Sequence, residues 1–386
     1  MSEKELLLVP GPTPVIEPIQ DAISQPTMNH TDPRFVKIFK NTIERTKEFF
    51  KTDGEVFLVA GSGTLAMEMA LVNTVRRGEK ILIVSNGFFG DRFIKLGAAF
   101  GIEIDVVQAK WGEQVSATEV EAKLANDTYK AVTLTHADTS TGVAANLEAL
   151  VSVIKKHGAL VIVDGVCATA AMEEDMSKTY GSDASKIDIV LTGSQKAFGL
   201  PPGLAIIAFN QSALDVRAEL EQVPGYYADI YNWLPIMEDP GKYFATPPVN
   251  LIYGFQHAIE LVHNEGLAKR YQRHEAYAKA IRASIASYGM NPLADAEVAA
   301  TTLTCFLYPE AVDDATFRAK LAEKGIIVAG ALAHLAGKAF RIGHMGNTTK
   351  EDLERAVRLI GETLNELNHQ VDVEKAVETF NATVVK

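Results

Sequence analysis

The sequence has little cysteine, no long apolar run and no run of basic residues. Its 386 residues include only two cysteines, Cys167 and Cys305, which makes a disulfide framework improbable. No uninterrupted apolar stretch reaches about 18 residues and no signal-peptide core is visible, so neither a membrane span nor secretion is predicted. The net charge of −12 argues against nucleic acid and anionic membranes as partners. We therefore expect a protein of the reducing cytoplasm.

The composition is that of a folded globular protein, with 47% hydrophobic and 22% charged residues. Nine histidines show no metal-ligand spacing, so no metal site is predicted. From about residue 21 to 262, short apolar runs alternate with helical stretches such as Asp91–Phe100 and Leu147–Lys156, which predicts an α/β fold with a mostly parallel sheet. The predicted strands are Glu55–Val59, Lys80–Val84, Ile104–Gln108, Ala131–Thr135, Ala159–Val163, Ile187–Leu191 and Leu204–Phe209.

Three regions are predicted: an extended N-terminal arm over 1–20, a large domain over 21–262 and a smaller α+β domain over 263–386. The smaller domain is expected to contain the strands Ala300–Tyr308, Ile326–Val328 and Phe340–Ile342 and the amphipathic helix Glu351–Leu367. Residues after about 370 look peripheral. The aromatic stretch Val223–Pro248 has no clean periodicity, which predicts a long functional or interface loop.

A lysine and an aspartate follow two of the predicted strands. Lys196 lies in a turn of small residues after Ile187–Leu191, and Asp164 ends the apolar run Leu160–Val163. A βαβ unit can bring two such strand ends together at the carboxyl edge of a sheet, where α/β proteins bind ligands. An amine that forms a Schiff base, beside an acid that keeps a pyridine nitrogen protonated, is what a protein contributes to pyridoxal phosphate chemistry. Taken singly, each residue has another interpretation, a surface lysine and a helix N-cap.

Three further loops follow predicted strands. Ser62, Gly63 and Thr64 form a turn before a helix, where backbone N–H groups can bind a phosphate. Phe88 and Phe89 stand between two glycines, and one of them can stack on a planar ring. Thr139 lies in a loop rich in hydroxyl groups. Each of these loops alone can also be an ordinary turn, but together they favour one binding site at the sheet edge.

The combination resembles the class V branch of fold-type I pyridoxal phosphate aminotransferases, within it the alanine–glyoxylate and serine–glyoxylate (or serine–pyruvate) group. The resemblance runs from Val9-Pro10-Gly11-Pro12-Thr13-Pro14 to Phe340-Arg341-Ile342-Gly343, and Gly193-Ser194-Gln195-Lys196 is its most specific motif. It implies a large domain with a mostly parallel sheet, a smaller α+β domain, pyridoxal 5′-phosphate as cofactor, and a homodimer whose arm packs on the partner.

The resemblance also implies roles for individual residues. Lys196 resembles the lysine that carries the cofactor, Asp164 the partner of the pyridine nitrogen, and Gln195 a phosphate ligand. Phe89 stands where some members have a tryptophan, which suggests a smaller stacking platform. The remaining carried-over residues are Ser62, Gly63 and Thr64 for the phosphate, Thr139 for the phenolic side of the ring, and Tyr243 and Thr246, which would reach the phosphate of the neighbouring subunit.

Arg341 matches the arginine that binds the substrate carboxylate, and its chemistry agrees, because a guanidinium holds a carboxylate through two parallel charge-assisted bonds. Its apolar neighbours argue against a surface salt bridge. The expected reaction is a ping-pong transfer from alanine or serine to glyoxylate or pyruvate, because the glycine-rich segment 328–331 suggests small side chains and no second basic residue is obviously placed.

Several alternatives stay open. Within the same branch they are aspartate–glyoxylate, ureidoglycine–glyoxylate and aminoethylphosphonate–pyruvate transfer. A cysteine desulfurase or a kynureninase-like hydrolase is less favoured, because Cys305 lies in an apparent buried strand and Cys167 beside Asp164, whereas a desulfurase needs a mobile thiol. A non-catalytic nucleotide-binding protein would leave Lys196 and Arg341 without a role.

Overall fold

The computed structural model describes residues 5–181 and 185–384. Residues 1–4 of the predicted arm and 385–386 of the predicted smaller domain therefore lie outside the described residues. The strands are β1 (Leu6–Leu7), β2 (Glu55–Gly61), β3 (Lys80–Ser85), β4 (Glu103–Gln108), β5 (Ala131–Thr135), β6 (Ala137–Asp138), β7 (Val143–Ala144), β8 (Leu160–Asp164), β9 (Ile189–Gly193), β10 (Gly203–Phe209), β11 (Leu303–Leu307), β12 (Ile326–Ile327), β13 (Ala329–Gly330) and β14 (Ala339–Gly343).

The helices surround these strands, and a short 3-10 helix spans Ala333–Leu335. The α-helices are α1 (Glu17–Ile23), α2 (Pro33–Phe50), α3 (Gly63–Val72), α4 (Arg92–Phe100), α5 (Ala117–Leu124), α6 (Leu147–Lys156), α7 (Gln211–Ala218), α8 (Ile230–Glu238), α9 (Val249–Glu265), α10 (Leu267–Ala286), α11 (Asp314–Glu323), α12 (Lys350–Glu366) and α13 (Val373–Val384).

The main sheet has seven strands in the order β2-β10-β9-β8-β5-β3-β4. Only β10 runs antiparallel to its neighbours, and the other pairs are parallel. Its central strands are covered by helices on both faces, so strands such as β5, β8 and β9 are buried at every residue and read as continuous apolar runs. The predicted α/β fold and all seven predicted strands are confirmed, with ends that differ by about two residues.

A three-stranded antiparallel sheet, β11-β14-β13, lies in the C-terminal part of the chain. The predicted strand Ile326–Val328 is not part of it, because β12 pairs instead with β1. The expectation that residues after about 370 are peripheral is wrong, since Ala376, Val377 and Phe380 of α13 are buried in the second hydrophobic cluster. The division at residue 262 stays a prediction, and it falls inside α9.

The N-terminal arm packs on its own chain. The pairing of β1 with β12 is extended by a hydrogen bond from Leu8 N to the Ile327 carbonyl. Gly343 N of β14 donates to the Leu8 carbonyl, and Thr13 N donates to the Gln195 carbonyl. The arm is extended only as far as Ile16, because α1 begins at Glu17. This path carries the start of the chain directly past Lys196.

The aromatic stretch from 223 to 248 is not a continuous loop, which corrects the sequence interpretation. It contains α8, and Trp233 on this helix is fully buried, with its indole N–H bonded to the Tyr227 carbonyl. Tyr226, Tyr227 and Tyr231 remain exposed. No helix of residues 5–181 and 185–384 combines the length and apolarity that crossing a membrane requires.

Candidate active site

A cavity of about 110 Å³ at the carboxyl edge of the main sheet brings most of the predicted site residues together. Because β8 and β9 are parallel neighbours, with Asp164 beside Leu191 in the register, Asp164 and the turn that carries Lys196 meet at the same edge. The predicted residues that line the cavity are Ser62, Gly63, Thr64, Phe89, Thr139, Asp164, Gln195 and Lys196.

Asp164 lies at the end of β8 with only 3% of its surface exposed. The amide of Val166 donates to its carboxylate at 3.0 Å. Burial is the main cause that raises the pKa of Asp164 to about 7, and the nearby carboxylates Asp138 and Glu174 add to the shift. A positive charge bound beside Asp164 would lower its pKa toward the ordinary value. This buried carboxylate therefore favours a cationic partner.

Lys196 is also buried, and its amine points at the N-terminal arm. Its Nζ donates to the Pro10 carbonyl, and Thr13 Oγ1 donates to the Lys196 carbonyl at 2.6 Å. Burial lowers the pKa of Lys196, and the positive charge of Arg341 lowers it further. An amine with a lowered pKa is neutral more of the time, which is the form that attacks carbonyl carbon and accepts protons.

The turn before α3 has unused donors. Ser62 is the N-cap residue, but its side chain does not cap the helix, so the hydroxyl stays available. A Cβ atom placed on Gly193 would lie 2.7 Å from Gln195 Oε1 and 3.2 Å from Gly63 N, so these two polar groups face the same small space. Gln195 Oε1 is buried without a hydrogen-bond partner among the described residues. The Ser62 hydroxyl and the Gly63 N–H can therefore donate to a ligand in this space, and the Gln195 side-chain amide lies beside them.

Phe89 is held in place by a carboxylate that sequence analysis did not single out. Asp138 is fully buried and accepts hydrogen bonds from Phe89 N at 3.0 Å and Gly90 N at 3.1 Å. Burial raises the pKa of Asp138, while four hydrogen bonds to its carboxylate, two of them from Ser140, oppose that shift. The anchored turn fixes the Phe89 ring at the cavity wall.

Arg341 lies on β14 and is buried, as its apolar neighbours suggested. It does not line the cavity. Its Nε donates to the Gly330 carbonyl at 2.9 Å, and its Nη1 donates to the Thr139 carbonyl at 3.2 Å. Since Thr139 is a cavity residue, these bonds bring the guanidinium to the edge of the cavity from the side of the smaller sheet.

Tyr243 and Thr246 are not brought into this cavity. Tyr243 is 67% exposed and packs on His30, with ring centres 5.8 Å apart, and Thr246 is also exposed. Within one chain, therefore, neither residue reaches the phosphate turn.

Sequence analysis also missed other residues of the site. Arg92 lines the cavity and donates to Thr64 Oγ1, but in the sequence it reads as an ordinary residue near the start of the predicted helix Asp91–Phe100. The Pro10 carbonyl meets Lys196 only through the fold, although the Val-Pro-Gly-Pro-Thr motif marked the segment. Cys167 was noted for its place beside Asp164, and it lines the cavity as a buried thiol whose pKa is raised by burial.

These residues fit pyridoxal phosphate. Gln195 Oε1 and Thr135 Oγ1 are buried polar atoms without partners among residues 5–181 and 185–384, and both belong to cavity residues. The cofactor has a phosphate for the Ser62–Thr64 turn, an aldehyde for Lys196, and a ring nitrogen that can carry the positive charge favoured by Asp164.

A larger groove of about 660 Å³ lies elsewhere, between the segment before α2 and helix α9. Its Asp32 and Arg34 form an ion pair with each other at 2.7 Å. None of the predicted site residues lines this groove.

Comparison with known proteins agrees with the geometry. The sequence profile of the family described as aminotransferase class-V matches residues 12–355. An uncharacterized aminotransferase of Methanocaldococcus jannaschii is 36% identical over 385 residues, which are 99% of this chain and 98% of that protein.

Two relatives carry more specific names. The L-aspartate–glyoxylate aminotransferase of Paracoccus denitrificans is 34% identical over 90% of this chain and 88% of its own length. Alanine–glyoxylate aminotransferase 1 of Saccharomyces cerevisiae is 34% identical over 89% of this chain and 92% of its own. Among solved structures, the ureidoglycine–glyoxylate aminotransferase of Bacillus subtilis superposes with a TM-score of 0.94 at 25% identity, covering 100% of this chain and 99% of that one.

Proposed function

The chain belongs to the class-V aminotransferase family, and we propose that it transfers the amino group of alanine or serine to glyoxylate or pyruvate. It is a pyridoxal-phosphate-dependent aminotransferase. The observation that carries the proposed site is the meeting of Lys196 and Asp164 at adjacent strand ends, with the Ser62–Thr64 turn in the same cavity.

When bound, pyridoxal phosphate supplies an aldehyde that takes up the amino group and a ring that accepts the electron pair left by the departing α-proton. Lys196 moves that proton, first away from the α-carbon of the donor and, in the second half of the reaction, back onto the acceptor. Its lowered pKa suits this role, because a base works best when its pKa lies near the operating pH. The Pro10 carbonyl gives the amine a hydrogen-bond partner while it is detached from the cofactor.

Asp164 holds a proton on the pyridine nitrogen. Its carboxylate is buried and is repelled by Asp138 and Glu174, so a positive ring nitrogen is the partner that lowers its free energy.

Arg341 binds the substrate carboxylate. Amino donor and oxo acceptor both carry that group, so one guanidinium serves both halves of a ping-pong cycle.

Small substrates are supported by the space around Lys196. A Cβ atom on Gly11 would lie 2.4 to 2.6 Å from Lys196 side-chain atoms, so the arm packs tightly against the reacting amine. Of the described residues that line the cavity, only Lys196 and Arg92 have basic side chains.

An aspartate donor is the second candidate, because the Paracoccus denitrificans relative is named for it.

The purified protein would be mixed with L-alanine, L-serine or L-aspartate, and its visible spectrum recorded before and after glyoxylate is added. A band that shifts with alanine or serine and returns with glyoxylate supports the proposal. A shift with aspartate alone would make aspartate the donor in place of alanine or serine. If no band appears even with added pyridoxal phosphate, the assignment of the site is wrong.

We also propose a homodimer in which Tyr243 and Thr246 reach the phosphate of the neighbouring subunit. Both residues are exposed and lie outside the cavity of their own chain, which supports a role across an interface. Tyr226 and Tyr231 are exposed as well, and a cluster of exposed aromatic rings is typical of an interface.

Complementation tests the composite site. Lys196→Ala and Tyr243→Ala variants, inactive or impaired alone, are co-expressed. A mixed dimer then contains one site with both native residues, so about a quarter of wild-type activity returns if the subunits pair at random. Lys196→Ala with Arg341→Gln is the matched control, because these residues share one chain and no intact site can form. Equal recovery in both mixtures, or none in the first, contradicts the proposal.

A desulfurase reaction has less support. Both cysteines are free and buried, and burial raises the pKa of Cys305 to about 12, so neither is a mobile thiolate. The two free thiols also support a cytoplasmic location.

A further inference from the structure

Arg92 begins α4 and reaches across to the turn before α3. Its Nη1 donates to Thr64 Oγ1 at 3.1 Å, and its Cζ lies 4.7 Å from the centre of the Phe89 ring. Arg92 also lines the cavity that contains Lys196. One guanidinium thus contacts the proposed phosphate turn and the proposed stacking residue together.

Arg92 differs from two other arginines of the chain in how its positive charge is paired. Across residues 5–181 and 185–384, no carboxylate forms an ion pair with it, whereas the more buried Arg217 and Arg270 pair with Asp229 at 2.8 Å and Glu265 at 2.6 Å. A cation in the first turn of a helix is also opposed by the helix dipole. Helix stability therefore does not explain an arginine at this position.

The charge also acts on the reactive groups. Arg92 contributes to the lowered pKa of Lys196, and it opposes the rise in the pKa of Asp164. A phosphate dianion bound near Thr64 would meet this charge, and a guanidinium can hold two phosphate oxygens at once.

We propose that Arg92 supplies, from the same chain, the fixed positive charge that binds the cofactor phosphate. The inference rests on the proposed assignment of Ser62, Gly63 and Thr64 as the phosphate turn. In this arrangement the turn supplies hydrogen-bond donors, while Arg92 neutralises the dianion and stacks on Phe89 beside it.

The test compares two ligands that differ only in the phosphate. Cofactor-free wild type and Arg92→Gln are titrated with pyridoxal phosphate and with pyridoxal, and dissociation constants are read from the absorbance change. Loss of a charge-assisted bond predicts that Arg92→Gln weakens pyridoxal phosphate binding roughly 10- to 100-fold and pyridoxal binding by less than about 3-fold. Arg92→Lys, which keeps the charge, should retain most of the preference for the phosphate.

Two controls isolate the charge. Phe89→Leu removes the ring platform and should weaken both ligands by a similar factor, and Lys95→Gln, an exposed cation on the same helix, should change neither. If Arg92→Gln behaves like Phe89→Leu, or has no effect, the proposal is overturned. If Arg92→Gln does not fold, a loss of the phosphate preference in Arg92→Lys overturns it instead. Failure of the wild type to bind pyridoxal phosphate would count against the proposed function itself, not against Arg92 alone.

Discussion

The sheet edge around Lys196 and the aromatic segment 223–248 are built in opposite ways. Lys196 and Asp164 are 8% and 3% exposed, whereas Tyr226 and Tyr243 are 77% and 67% exposed. The first region gets its hydrogen bonds and its packing from its own chain. The second exposes large aromatic surface that water solvates poorly. The difference separates what one chain completes alone from what we propose a second copy completes.

Helix packing explains why the loops at the sheet edge are held in place. Arg270 on α10 donates to the carbonyls of Ala197 and Ala170 at 2.7 Å each, so one buried guanidinium joins the loops that follow Lys196 and Asp164. Among the residues that the structure describes, no such bond reaches the ring of Tyr226, which packs edge-on against Phe244 with ring centres 5.1 Å apart.

The largest expected effect comes from Lys196→Ala, which removes the chemistry of the sheet edge and leaves the aromatic surface intact. Turnover should fall by about four orders of magnitude or more, because nucleophile and proton carrier are lost together. Borohydride reduction should no longer attach the cofactor to the protein, while the oligomeric state in light scattering should not change. A reducible bond to the cofactor in this variant would remove Lys196 from its role.

Asp164→Asn probes the burial of charge at the same edge. The pKa of Asp164 is raised from an ordinary 3.8 to about 7, so the folded protein binds a proton more tightly than the unfolded chain. The cofactor-free protein should therefore lose stability as the pH rises from about 4 to 7, by on the order of 4 kcal/mol from this group.

The asparagine variant does not titrate, so this part of its pH dependence should vanish. Urea unfolding of wild type and variant at pH 5 and pH 8 measures the difference. Equal slopes of stability against pH would mean that Asp164 is already charged in the cofactor-free fold.

Arg341→Ala tests substrate binding at the sheet edge. We expect the Michaelis constants for amino donor and oxo acceptor to rise together, because each substrate loses roughly 2–4 kcal/mol of binding free energy. Steady-state kinetics with both substrates varied would detect this, and a change in only one of them would contradict a shared carboxylate site.

The smallest effect is expected from Tyr226→Ser, which alters the open surface alone. Removing one exposed ring from an interface should weaken dimerisation by about 1–2 kcal/mol. The specific activity should then depend on protein concentration, whereas the absorbance of the cofactor bound at the sheet edge should change little at high concentration. Activity that stays proportional to enzyme down to nanomolar levels would argue against a role for this ring in the interface.

The sequence was sufficient for most of the main sheet, because strands such as β2, β3, β8 and β9 are apolar runs that end in glycine, serine or aspartate. Lys196 and Asp164 could be predicted for the same reason, since parallel neighbours end at one edge. Helix α8 could not, because Pro235 and its aromatic neighbours hide the helical period. Phe380 was missed because burial of a terminal helix depends on the helices that it meets.

Arg92 was missed for a different reason. Its bond to Thr64 joins residues that are far apart in sequence, and no local pattern marks it. Asp138 was missed for the same reason. It anchors the turn of Phe89 by accepting a hydrogen bond from a main-chain N–H group, and side-chain patterns do not reveal such a contact. Long-range polar contacts therefore limited the prediction of the site more than the prediction of the fold.

The path of the N-terminal arm has a consequence for biosynthesis. Leu6 pairs with Ile326, and a Cβ atom on Gly343 would lie 2.6 Å from the Val9 carbonyl, so the arm is held by residues near the other end of the chain. Ile326 is synthesised about 320 residues after Leu6. During synthesis, therefore, the contacts of Thr13 with the Lys196 turn can form before those of Leu6 and Val9 with residues 326–343, so the wall that Pro10 forms beside Lys196 is secured in two stages.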